Sequence, residues 1–230
     1  MNGSTFDGIY KSEITNATCS GLYDPFELCW SSPILSIVGI PAACLPKVID
    51  TTSSDFGYFE NFNIRIGSIC GDANAGMFGE KMTNIGDVKI TLGTGAFVDI
   101  NTGCEPFASA TGAYPVVGWK LNEKITYLAE ADDQSCGMTL DWAVQAGFFE
   151  TIEQGEMDAN KVDSSDGVLF IPGIWGISTP VNDSTTSGSI IGMNSKTKSS
   201  HISRSIFEAI AFRSYQLIRT LEEETQKSVR

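Results

Sequence analysis

A chain of 230 residues with 42% hydrophobic and 19% charged side chains has enough apolar material for one large core or two small ones, and too little charge for general disorder. Its net charge of −13, with no local basic cluster, argues against nucleic acid and anionic membrane surfaces as partners. An acidic protein can still hold ATP, because backbone amides and a metal ion carry much of that work.

The six cysteines (Cys19, Cys29, Cys44, Cys70, Cys104 and Cys136) form no C-x-x-C pair, and the single histidine, His201, stands apart from them. No metal-ligating set is therefore expected, and the thiols fit reduced, mostly buried residues of an intracellular protein. The N-terminus has no apolar signal segment and no run is long enough to span a bilayer, so the expected location is cytoplasmic. The sequons at Asn2, Asn16 and Asn182 are then chance matches.

In chain order, "DPFELCW" predicts a helix, with Asp24 as its N-cap and Pro25 at its first position. "SSPILSIVGIP" predicts a second, short helix ended by Gly39 and Pro41. An extended segment follows, and residues 51–63 read as loop or edge hairpin. "IRIGSICGDANAGMFGEKM" opens as a strand, turns at Gly71-Asp72 and continues as a helix of small residues suited to close packing. "IGDVKITLGTGAFVDINTG" gives two strands around a Gly93-Thr94-Gly95 bend. Residues 113–131 continue the sheet, residues 137–149 form an amphipathic helix, and "GVLFIPGIWGISTPVND" is a strand running into a Gly/Pro loop. "SGSIIGMN" is a short strand. Residues 200–224 form the clearest helix, with an apolar stripe through Ile202, Ile206, Ala209, Ile210, Leu217 and Leu221. An α/β class follows, and the pattern reads as a chain cut at both ends.

Several residues admit both a chemical and a plain reading. Asp72, at a strand-to-helix junction, suits a general base for a substrate hydroxyl, yet helix capping is the commoner use of such an aspartate. Gly93-Thr94-Gly95 suits backbone approach to a phosphate, or simply a tight turn. The two motifs together say more than either does. Gly137 and Asp141, one helical turn apart, are either nucleotide contacts or a helix start with a solvated face. The Gly/Pro loop is an active-site loop or a connector. Trp142 and Trp175 are expected in the core, and His201 on the surface.

"TNATCSGLYDPFELCW", "GDANAGMFGE", "GDVKITLGTGAFVDINTG", "GVLFIPGIWGISTPVND" and "HISRSIFEAIAFRSYQLI" occur in this order. As a set they resemble the FGGY carbohydrate kinases, in their glycerol-kinase branch. The resemblance implies an actin-like, ribonuclease-H-like ATPase fold of two α/β domains hinged around a cleft. Residues 1–82 would be the end of the first, substrate-binding domain and residues 83–230 an incomplete second, nucleotide-binding domain. It also implies a reaction, transfer of a phosphoryl group from ATP to a polyol or sugar hydroxyl, most simply glycerol, with Mg²⁺ neutralising charge. Asp72 matches the family's catalytic base, beside the polyol. Gly93, Thr94 and Gly95 match its ATP-phosphate hairpin, and Gly137 and Asp141 match nucleotide contacts.

The sequence departs from the family at Ala73, where a substrate-binding glutamine is usual, and at Asp141, where glycerol kinases usually carry glutamine. The family's first phosphate loop, its glycerol-gripping Arg-Glu pair and aromatics, and its adenosine-binding Gly-rich segment have no match in this sequence. Kinase activity is therefore expected only of a longer protein, with a catalytically inactive binding or regulatory relative as the alternative. Members of the family often form homo-oligomers.

Overall fold

The computed structural model describes residues 10–59 and 62–229, so the Asn2 sequon and part of the 51–63 segment lie outside the described residues. Among the described residues the first elements are strand β1 (Lys11–Glu13) and helix α1 (Ile14–Thr18), in a segment whose sequence showed no clear strand. The "DPFELCW" helix does not form. Strand β2 (Tyr23–Asp24) turns back onto β3 (Cys29–Trp30) instead. The Asp24 carboxylate accepts the N–H groups of Phe26 and Glu27 at 2.9 and 3.1 Å, so it caps a turn with the chemistry that would cap a helix.

Helix α2 (Ser32–Val38) forms as expected and ends on Gly39 at φ +72°. A 3₁₀ turn (Ala42–Cys44) leads to β4 (Lys47–Ile49), which pairs in parallel with β1. The edge hairpin is real but short, β5 (Tyr58–Phe59) against β6 (Ile64–Arg65). Helix α3 (Asp72–Gly79) follows.

The central sheet is antiparallel and four-stranded, in the order β7 (Val88–Leu92), β8 (Ala96–Gly103), β10 (Lys124–Asp133), β9 (Tyr114–Leu121). Its two faces are covered differently. Val98, Ile100, Ala129 and Ala131 pack against Leu217 and Leu221 of the long helix α6 (Ser199–Thr225). Burying each of these leucines supplies about 2 kcal/mol of transfer free energy. On the opposite face Val116, Trp119 and Leu128 receive Met77 of α3, which is fully buried. Asn74 donates its amide to the Val117 carbonyl at 3.0 Å and pins the same helix.

Between sheet and α6 the chain adds α4 (Gly137–Gln145), α5 (Ile152–Ala159), β11 (Leu169–Ile171) and β12 (Ser189–Ile191), the last two paired. The sequence showed no sign of α5, whose eight residues are too few for a clear apolar stripe. Trp142 packs against Phe148 and Phe170 as expected of a core residue, whereas Trp175 is 41% exposed. His201 is half-buried, and its Nδ1 accepts the Lys198 N–H at 3.2 Å, closing the start of α6. The expectation of mostly buried thiols fails: all six cysteines are free, Cys19, Cys29, Cys44 and Cys104 are exposed, and only Cys136 is buried. Among the described residues no helix is long and apolar enough to cross a membrane.

Candidate active site

Asp72 is the first residue of α3, with Gly71 as the N-cap. It is exposed, and its Oδ1 accepts the Ala73 N–H at 2.9 Å. This bond engages one of its two carboxylate oxygens. Ala73 adds only a methyl.

The entrance to α3 is fixed by a residue that sequence reasoning missed. Glu13 is 2% exposed, and its Oε2 accepts from Thr15 N–H, the Thr15 hydroxyl, Asn16 N–H and the Asn16 amide at 2.5–3.2 Å. Its Oε1 accepts the Thr51 hydroxyl at 2.6 Å. The Thr15 oxygen in turn accepts the Gly71 N–H at 2.8 Å, and the Thr51 oxygen accepts the Lys120 N–H at 3.0 Å. One buried carboxylate therefore ties α1, the segment at 51, β9 and the residue before Asp72. A Glu two residues before Thr and three before Asn was the available signal, but a five-residue helix gives no periodicity to support it.

The bend is held by backbone. Gly93 N–H donates to the Gly95 carbonyl at 2.8 Å. The first N–H groups of α4, from Gly137 and Met138, donate to the carbonyls of Gly93 and Thr94, each at 3.0 Å. A Cβ on Gly137 would sit 2.6 Å from the Gly93 oxygen, and one on Gly95 would sit 2.9 Å from the Asp133 oxygen. Both glycines are thus demanded by packing. Gly93 is not: a Cβ there would meet only the Gly95 oxygen, at 3.9 Å, and its φ is not positive. Thr94 is exposed at the tip. Asp141, one turn along α4, is also exposed, so the structure brings Gly93, Thr94, Gly95 and Gly137 into contact and leaves Asp141 on the neighbouring helix surface.

The Gly/Pro loop comes to the same end of the sheet. With Asp133, Gln134 and Ser135 it forms a cleft of about 270 Å³, to which it contributes Trp175, Ser178 and Asn182. The Ser178 hydroxyl donates to the Asp132 carbonyl at 2.8 Å, and the Ser135 hydroxyl to that of Pro172 at 2.9 Å.

The α3-covered sheet face carries a row of polar groups across all four strands. Lys89 stands opposite Asp99, Asp99 opposite Glu130, and Glu130 opposite Tyr114. Asp99 is 1% exposed and neither carboxylate oxygen receives a donor, while Lys89 bonds Thr91 and the Tyr114 hydroxyl donates to Glu130. Burial first, then the charge of Glu130, push Asp99 up to about 8. Burial and Glu130 also raise Tyr114, and burial raises Asp132. Among the described residues no three His, Cys, Asp or Glu side chains converge to hold a metal ion.

The family model for the C-terminal domain of the FGGY carbohydrate kinases matches residues 88–230, more than half of the chain. Glycerol kinase 5 of Danio rerio is 39% identical over 95% of this chain and 42% of its own length. Among solved structures, Plasmodium falciparum glycerol kinase with ADP superposes with a TM-score of 0.86 at 27% identity, over 95% of this chain and 45% of that one. A ligand-bound xylulose kinase from Lactobacillus acidophilus gives a TM-score of 0.77 at 19% identity, over 93% and 45%. The chain thus spans less than half the length of these relatives. The shared architecture is the actin-like ATPase fold.

Proposed function

The chain belongs to the FGGY family of carbohydrate kinases, and from that premise we propose that it supplies the base and one phosphate-binding bend for ATP-dependent phosphorylation of a polyol or sugar hydroxyl, with glycerol the first candidate. Residues 1–82 then belong to the substrate domain and residues 83–230 to the nucleotide domain. Asp72 accepts the proton of the attacking hydroxyl while the hydroxyl oxygen bonds the γ-phosphorus and the bond to the ADP oxygen breaks. The neighbouring methyl of Ala73 leaves the hydroxyls of the substrate one polar partner short.

Thr94 offers its hydroxyl to the phosphates and Gly93 leaves its backbone open to approach, while Gly95 lets the end of β10 pack behind the bend. The N–H of Gly137 is engaged by Gly93, so Gly137 serves by its lack of a side chain, and Asp141 lies further along the nucleotide. Among the described residues no carboxylate cluster is built to hold a metal ion, so Mg²⁺ would arrive on ATP's own phosphate oxygens, as this ion commonly does with few protein ligands. When bound, it neutralises charge on the transferring group.

The observation that carries this reading is the meeting of the Gly93–Gly95 bend with the first amides of α4, in a chain whose residues 88–230 match the family's C-terminal domain. The test is ADP titration and glycerol phosphorylation by the full protein that contains this chain, unaltered and as Asp72→Asn. Turnover that falls by at least 10²-fold with ADP affinity kept supports the reading. Turnover unaffected by Asp72→Asn rejects it. Ala73 favours a second reading, a relative that binds nucleotide without catalysis; ADP binding with no turnover of any polyol would select it.

A further inference from the structure

Arg213, on α6, is charged yet only 6% exposed. Its Nε–H donates to Asp133 Oδ2 at 3.0 Å, an Nη2–H donates to the Thr179 carbonyl at 3.0 Å, and Nη1–H reaches Gln216. The other Asp133 oxygen accepts the Ser135 N–H at 3.1 Å. Asp133 ends β10 directly behind the bend, where its carbonyl meets Gly95, and the turn it starts leads to the α4 amides that hold Gly93 and Thr94. Thr179 lies in the Gly/Pro loop, between Ser178 and Asn182 of the cleft's other side. One guanidinium thus grips both sides of the same cleft.

We infer that Arg213 is a positioning residue for the nucleotide phosphates: it fixes the separation between the Gly93–Gly95 bend and the loop around residues 176–184. The inference rests on the phosphate-binding reading of that bend. A buried ion pair is a weak device for stability, since apolar side chains of the same volume serve as well. What it adds is direction. The guanidinium is planar and always charged, and its donors point along fixed lines. Here those lines run to a strand end and to a loop carbonyl 34 residues upstream of the arginine.

The test uses the full protein as Arg213→Gln, Arg213→Lys and the double variant Arg213→Gln/Asp133→Asn, which removes the stranded carboxylate. Measured are ADP affinity, the KM for ATP against that for the polyol, and hydrogen exchange of the amides at 93–95 and 176–184. Arg213→Gln is expected to raise the ATP KM by about tenfold or more, with the polyol KM unchanged and exchange faster in both segments. Arg213→Lys, which keeps the charge and loses the fork, is expected in between. The double variant is expected to regain thermal stability but not ATP affinity.

An unchanged ATP KM in Arg213→Gln, whether or not its Tm falls, overturns the inference, because the arginine is then only structural. Full recovery of ATP affinity in the double variant also overturns it, since the damage then came from the bare carboxylate. If the unaltered protein binds no nucleotide, the proposed function falls and this inference with it. In that case faster exchange in Arg213→Gln still records whether the arginine holds the two segments.

Discussion

The two regions of the candidate site are held by opposite means. Around Asp72 the anchors are side chains, five hydrogen bonds converging on the buried carboxylate of Glu13 and one donated by the Gly71 N–H to the Thr15 oxygen. Around the Gly93–Gly95 bend the anchors are backbone groups, with glycines chosen so that α4 and the end of β10 can approach. The first region fails when a charge or a donor is removed. The second fails when a methyl group is added. A residue that must present a carboxylate needs its helix entrance fixed but its own side chain free. A bend packed against a helix start and a strand end needs its backbone fixed and no Cβ at its contact points.

The sharpest way to break the comparison is Asp72→Asn in the full protein. A loss of turnover of about 10²- to 10⁴-fold is expected, with ADP affinity kept, as steady-state kinetics beside calorimetry would record. Next is Glu13→Ala, which strands the donors of Thr15 and Thr51 in the interior. It is expected to cost about 3 kcal/mol in urea unfolding, and to lower turnover more than nucleotide affinity. Equal loss of both would mean that the two regions are not held separately.

Gly137→Ala tests the other region. Its methyl meets a carbonyl oxygen at 2.6 Å, so the bend must move. A stability loss of about 1–3 kcal/mol is expected, with nucleotide affinity reduced and the Asp72 side untouched, as thermal unfolding with and without ADP would separate.

A smaller effect concerns the sheet face between the regions. Asp99 is raised to about 8, so folding binds a proton that the unfolded chain releases near its ordinary value of 3.8. The stability this residue permits is fully present below about pH 4 and is lost as pH rises through about 8. Asp99→Asn should flatten the fall of Tm across that window, and an unchanged pH profile would show that Asp99 is already ionised. Thr151, whose hydroxyl caps α5 at Gln154, lies apart from both regions. Thr151→Ala should cost about 1 kcal/mol and leave nucleotide binding as it was.

Much of this was legible beforehand. The bend between β7 and β8, helix α2 with its terminal glycine, and the apolar stripe of α6 follow from period and punctuation alone. The family motifs pointed to Asp72 and to Gly93, Thr94, Gly95 and Gly137, four of which meet in space. Helix α1 and strand β1 were not legible, because five and three residues carry no periodicity. The "DPFELCW" segment misled because Asp-Pro opens turns as well as helices, and here pairing of Tyr23 with Trp30 decided for the turn.

By itself, the sequence determined the class of the fold, the strands that alternate, the helix that buries a stripe, and the bend at Gly93–Gly95. These are local properties, written in period and residue type. Only the tertiary structure decided that Glu13 serves Asp72 across a separation of nearly sixty residues, that Gly95 and Gly137 are required by packing while Gly93 is not, and that Arg213 and Asp133, 80 residues apart, form one buried pair. The physical reason is that a buried polar group must find its partner somewhere, and which partner it finds depends on which strands and helices come to lie side by side.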